Sequence, residues 1–181
     1  WTLVGGVSVD YLNKDENGND KTAVNPLAGV RFAATDDLSL YGSFSQKSRF
    51  PNMRALYGSI GGNPDLQDER GTNYELGAEW GRVVTLHGAV FYNQVHDLIQ
   101  SIRLPNGYNT YINIGRAHIG GFELSAEKSL EWLRISGNYT YLDAQNEDAD
   151  APLPLVPKSQ GNAVIDILPA SNWRISLWGI A

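Results

Sequence analysis

Residues 73–95 read NYELGAEWGRVVTLHGAVFYNQV, and their spacing decides the fold. Tyr74, Leu76, Ala78 and Trp80 occupy alternate positions, with Asn73, Glu75, Gly77 and Glu79 between them. A period of two is that of a β-strand with one apolar and one polar face. Gly81-Arg82 interrupts the alternation. Beyond it Val84, Leu86, Val90 and Tyr92 make a second apolar row, opposite Thr85, His87 and Asn93. Two such runs around a Gly-containing two-residue break predict an antiparallel hairpin with a tight turn. Arms of about ten residues are long for a small soluble sheet and suit a tilted strand crossing a bilayer.

The same alternation recurs along the whole chain. It predicts further strands over 1–11, 28–34, 38–45, 111–127, 133–143, 162–168 and 173–181, nine in all with the two of the hairpin. The connections alternate in length. Polar or Gly/Pro-rich segments at 13–22, 48–71, 101–110 and 144–158 are long, whereas 35–37, 81–82, 128–131 and 169–172 are short. An antiparallel meander puts all the long connections at one end and all the short ones at the other, the asymmetry of outer-membrane barrels. Trp80, Trp132 and Trp173 sit beside short turns, with Trp1 at the matching end of the first strand. Tyr11, Tyr92, Tyr111 and Tyr141 lie toward the long-loop ends, so the two sets read as aromatic girdles at two membrane–water interfaces. Trp178, in mid-strand, breaks the pattern. The fold class expected is all-β: an antiparallel meander of about nine strands, part of a transmembrane β-barrel.

Composition narrows function. A net charge of −6 and a pI near 5.0 argue against a nucleic-acid partner, which requires a basic face. The absence of cysteine excludes disulfides and thiolate metal sites. The mean hydropathy of −0.30 is compatible with a membrane barrel, whose strands show polar residues to the lumen at every second position. The chain opens on Trp1 and stops at Ala181, each within an apolar alternation, which predicts a section of a larger barrel.

Motifs of catalysis and metal binding do not assemble. His87, His96 and His118 lack zinc-protease spacing, and His87 reads as a polar wall residue. Asp15-Glu16-Asn17-Gly18-Asn19-Asp20 resembles a calcium loop, but its glycine is displaced and no glutamate closes it, so it reads as a solvated outer loop. Glu147, Asp148 and Asp150 read the same way. Gly58, Gly61 and Gly62 precede neither a helix nor a Lys-Ser/Thr pair, so no phosphate cradle is expected. The carboxylate pairs Glu75 with Glu79 and Glu123 with Glu127 read as polar wall. No enzyme, cofactor or metal site is expected. Within 111–127, the alternation carried back from Phe122 puts Arg116 and His118 on the apolar face. Either Arg116 stands above the bilayer or Gly120-Gly121 carries a bulge that reverses the face.

An ordered series of short motifs resembles the barrel of TonB-dependent outer-membrane receptors. It comprises Leu40-Tyr41, Arg49-Phe50-Pro51, Gly62-Asn63-Pro64-Asp65-Leu66 with Glu69, Asn73-Tyr74-Glu75-Leu76-Gly77, and Val90-Phe91-Tyr92 with Asp97-Leu98-Ile99. It continues through Asn113-Ile114-Gly115-Arg116-Ala117, Gly121-Phe122-Glu123-Leu124, Asn138-Tyr139-Thr140-Tyr141 and Pro157. The chain departs from the family in reading Asp68-Glu69 where Pro-Glu is usual. The resemblance implies that residues 1–181 are a partial receptor barrel domain, without the N-terminal plug and the C-terminal strands. It implies an outer-membrane location in a Gram-negative bacterium and contact with membrane lipid. It further implies a small-molecule ligand such as a metal–siderophore complex, and energised uptake through TonB by way of the plug region. The rival classes are a passive porin-like barrel, a small soluble ligand-binding barrel and an outer-membrane barrel enzyme.

The longest connection, 48–71, is the candidate ligand-contacting segment. It carries Arg49, Arg54 and Tyr57. Arginines on an outer loop of a net-acidic chain suit an anionic cargo such as a ferric catecholate, because guanidinium offers a fixed fork of donors and stacks on aromatic rings. The alternative is that Arg49 and Arg54 pair with Asp65, Asp68 or Glu69 and hold the loop's shape.

Overall fold

A computed structural model of the chain describes residues 1–13, 20–170 and 172–181. Among these, the elements are β1 Thr2–Leu12, β2 Lys21–Ala33, β3 Leu38–Arg49, α1 Met53–Tyr57, β4 Glu69–Gly81 and β5 Thr85–Arg103, then β6 Asn109–Ser129, β7 Leu133–Asn146, β8 Ala151–Pro152, β9 Ser159–Ala170 and β10 Trp173–Ile180. One antiparallel sheet takes the strands in chain order from β1 to β7, then β9 and β10. The two-residue β8 hangs on the end of β7. The nine expected strands are all present; β8 and α1 are additions within long connections. Most of the calcium-like stretch 15–20 lies outside the described residues, as does Ser171 of the expected 169–172 turn.

The register carries the alternation from strand to strand. Leu38↔Trp80↔Leu86↔Ala126 is one cross-strand row, and Phe44↔Tyr74↔Tyr92↔Gly120 is another three steps along. Tyr74, Leu76, Leu86, Phe122, Leu124, Leu133 and Ile135 share one face. Glu75, Glu79, Glu123, Glu127 and Arg134 share the other. Trp178 falls on the polar side, opposite Val164 and in line with Ser136, which is why it stands outside the girdle pattern.

Several details differ from expectation, and one open alternative is decided. The β4–β5 turn spans residues 82–84, because Gly81 pairs with Thr85; Val84 therefore belongs to the turn and not to the apolar row. The expected loop 101–110 contracts to 104–108, because β5 and β6 run on as the longest hairpin of the sheet. Tyr111 lies in that extension and packs on a buried cluster in place of joining a girdle. Register is continuous through Phe91↔Gly121 and Tyr92↔Gly120, so no bulge reverses β6. Arg116 and His118 stay on the parity of Phe122 and stand beyond the girdle.

Burial is concentrated at the long-loop end. Ala55, Leu56 and Leu66 form the buried cluster, with Ile99 and Tyr111 packed against it. Between the girdles the apolar row is open, with Leu76 65% and Val90 56% exposed. Among the described residues no helix is long and apolar enough to cross a membrane.

Candidate functional site

The connection between β3 and β4 is a folded cap. Asn52 follows Pro51 and caps α1, its side-chain oxygen accepting from Ala55 N at 2.8 Å, and Gly58 ends the turn. Such a cap satisfies one of the free donors at a helix start. The short helix turns Ala55 and Leu56 into the cluster and leaves Met53, Arg54 and Tyr57 outside.

Polar contacts fasten this cap to the β5–β6 hairpin. Asn63 donates to the Tyr111 carbonyl at 2.9 Å, and Thr110 donates to the Gly61 carbonyl at 3.1 Å. Gln67 N donates to Asn113 Oδ1 at 2.8 Å, while Asn113 Nδ2 donates back to the carbonyls of Gln67 and Asp97. Gly61 has φ +78, and a side chain there would collide with the Asn109 carbonyl. Only glycine meets both requirements. On the other side Lys21 reaches Asp68 at 2.5 Å.

The three sequence-derived residues divide. The guanidinium of Arg49 grips the Glu69 carboxylate with two nitrogens, one on each oxygen. Glu69 is buried and also accepts from Ile99 N at 2.7 Å, so the pair joins β3, β4 and β5. Arg54 and Tyr57 lie three positions apart on the exposed side of α1, and no side-chain partner engages Arg54 among the described residues. Met53 and Ile60, 65% and 69% exposed, extend this surface at spacings of four and three residues around Tyr57. The surface combines one free guanidinium with a phenol and two aliphatic side chains, a set that can stack on an aromatic ligand and neutralise its charge.

Below the cap the polar face carries side-chain contacts across four strands, β2 to β5. Tyr41 Oη donates to Glu75 Oε1 at 2.7 Å and lies 2.9 Å from His87 Nε2, with the two rings stacked. Arg31 bonds Ser39 at 2.6 Å and pairs with Glu79 at 3.2 Å. His87 is thereby a wall residue. Among the described residues no cluster of side chains has the makings of a metal site.

An open antiparallel meander with an apolar exposed face, a polar opposite face, aromatic bands and sorted loops defines a segment of a transmembrane β-barrel wall. The family described as TonB-dependent receptor-like β-barrel matches residues 1–180, and the chain belongs to it. That is an outer-membrane barrel family of Gram-negative bacteria, made up of receptors and transporters. The chain is 29% identical over 167 residues to the probable TonB-dependent siderophore receptor PiuA of Acinetobacter baumannii, covering 80% of this chain and 22% of the relative. It is 25% identical over 186 residues to the vitamin B12 transporter BtuB of Photobacterium profundum, covering 99% and 30%. The solved copper transporter OprC superposes with a TM-score of 0.79 at 17% identity, over 97% of this chain and 30% of that one. The chain thus spans less than a third of the length of these proteins.

Proposed function

We propose that this chain forms part of the wall and outer loops of an outer-membrane receptor that takes up a scarce nutrient, a ferric siderophore, by energy delivered through TonB and a plug region. Membership of the receptor-barrel family carries this reading, and the likeness to PiuA supports the cargo class. The wall residues meet lipid on one side and water on the other. The reaction at the site is binding and passage, with no bond made or broken.

Arg54 and Tyr57 are the residues we assign to cargo contact, with Met53 and Ile60 beside them. Arg49 holds the cap in place through Glu69. The test uses the intact receptor, with binding and uptake of a ferric catecholate. Arg54→Ala and Tyr57→Ala should each weaken binding about tenfold while the barrel assembles normally, in keeping with loss of one charge-assisted or stacking contact. Arg49→Ala should loosen the cap and lower binding indirectly. Unchanged affinity in both α1 variants removes this surface from the site. The likeness to BtuB favours cobalamin as the second cargo class, and uptake of cobalamin with no uptake of ferric siderophores would select it.

A further inference from the structure

The segment Gly62-Asn63-Pro64-Asp65-Leu66 stands out in the sequence, and none of its side chains belongs to the exposed surface of α1. It lies between α1 and the β5–β6 hairpin, with Asn63 bonded on three sides. The Asn63 N–H donates to the Ala55 carbonyl of α1 at 2.7 Å. Its Nδ2 donates to the Tyr111 carbonyl of β6 at 2.9 Å, and its Oδ1 accepts from Asp65 N at 3.0 Å, an Asx turn. A carbonyl facing one end of the amide and an N–H facing the other allow only one orientation of the group. Pro64 disfavours a helical backbone at Asn63, which helps the chain leave α1 and turn toward β6. Gly62 lets the chain pass flush against the helix end. Its N–H donates to the Gly58 carbonyl at 3.1 Å, and a Cβ there would stand 2.6 Å from Gly58 N.

We propose that Asn63 is a positioning residue for the cargo surface: its side-chain amide sets where Arg54 and Tyr57 stand relative to β6. A helix of five residues is far shorter than the ~12 that make an isolated helix stable, so α1 takes its orientation from its neighbours. The Asn52 cap is local to the helix and fixes no orientation. The cluster of Ala55, Leu56 and Leu66 with Ile99 and Tyr111 holds the helix down, but apolar packing is non-directional. The Arg49–Glu69 pair and the Gln67–Asn113 pair fix the two ends of the connection, outside α1. Among the described residues Asn63 alone hydrogen-bonds both α1 and β6. Holding a contact surface in its bound arrangement before the ligand arrives spares the cost of ordering it on binding. The Asn63 amide therefore bears on affinity without touching the cargo.

This role rests on the assignment of α1 to cargo contact made above. In the intact receptor, Asn63→Asp retains the backbone donor and the acceptor for Asp65 N, and puts an oxygen in place of the amide donor that faces the Tyr111 carbonyl. Ferric catecholate affinity should fall about fivefold, near the net worth of one hydrogen bond, with barrel assembly unchanged. In a receptor that already carries Arg54→Ala and Tyr57→Ala, Asn63→Asp should cost nothing further, because the side chains it positions are gone. A comparable loss that persists there overturns the proposal, since the new charge or the general fold would be its cause. Wild-type affinity in Asn63→Asp, with Arg54→Ala and Tyr57→Ala each impaired, overturns it as well. So does a variant that fails to assemble, which makes Asn63 part of the wall's own fold. Hydrogen exchange of the cargo-free receptor gives an independent reading. Asn63→Asp should quicken exchange at Leu56, Gly58 and Gly62 and leave β4 and β5 between the girdles protected. Unchanged exchange at those amides overturns the proposal. If Arg54→Ala and Tyr57→Ala leave affinity untouched, the cargo assignment fails instead, and hydrogen exchange alone then decides whether Asn63 orients α1.

Discussion

The wall between the girdles and the cap above it belong to one sheet and one of its connections, yet they are held by different physics. In the wall, apolar side chains such as Leu76, Val90 and Leu124 are more than half exposed, and their neighbours across the sheet add little burial. In the membrane placement proposed above, backbone pairing and the surrounding hydrocarbon supply the stability there, since strands in a bilayer satisfy every backbone group by pairing. In the cap, Ala55, Leu56 and Leu66 are buried on Ile99 and Tyr111, and side chains bond backbone at nearly every crossing. The cap is a small water-soluble core set on a membrane wall.

The comparison breaks most visibly when charge is placed on adjacent wall residues. Leu124 and Ser125 point to opposite faces. Leu124→Arg should destabilise the barrel by about 2–4 kcal/mol, the depth-dependent cost of arginine on a lipid face. Ser125→Arg, toward the lumen, should change it by well under about 1 kcal/mol. Denaturant unfolding of the receptor in lipid vesicles measures both, and equal costs would reject the assignment of faces.

Next in size is Leu56→Ala in the cap. It should weaken docking by about 2–3 kcal/mol, near the low end for a buried leucine because so small a cluster relaxes easily. Hydrogen exchange should quicken at Ala55, Leu66 and Tyr111 while the ladder between the girdles keeps its protection. Loss of protection throughout would mean that cap and wall form one cooperative unit.

The smallest effect belongs to the short-turn end. Asp37 pairs with Arg82 at 2.6 Å and its carbonyl accepts from Gly81 N at 3.0 Å, joining two neighbouring turns. Arg82 is mostly exposed. Asp37→Ala should therefore cost about 0.5 kcal/mol or less, and that difference should vanish in high salt. A larger, salt-independent loss in the same unfolding assay would place a structural role in this pair.

The wall was legible in the sequence because its side chains need only alternate. A period of two identifies each strand, and sorted loop lengths orient the meander without knowledge of any tertiary contact. Strand ends were less legible. The β5–β6 extension is held by partners distant in sequence, such as Asn63 to Tyr111 and Gln67 to Asn113, which no local pattern announces. Pro26 and Asn25 in β2 hid seven further residues of strand, 21–27. Pairing with β3 stops at Leu27, so Pro26 withholds no donor from that side, and Asn25 Oδ1 accepts from Ser48 N where the ladder has ended. At the candidate site, α1 lay inside a connection read as a loop, because a helix of five residues is too short to show a helical period. The Arg49–Glu69 grip was one of two open readings, and only the register opposing the two residues selects it.

The central claim is that a single continuous register separates a lipid face from an aqueous one. The chain lacks cysteine, so single cysteines can be introduced at Tyr74, Leu76, Leu86 and Leu124 and at Glu75, Glu79, His87 and Glu123. Each is to be reacted, in the assembled receptor in membranes, with a water-soluble maleimide and with a bilayer-confined one. The second group should label with the water-soluble reagent and the first only with the bilayer-confined reagent. Water-soluble labelling at both Leu76 and Glu75, or at both Leu124 and Glu123, would contradict the account.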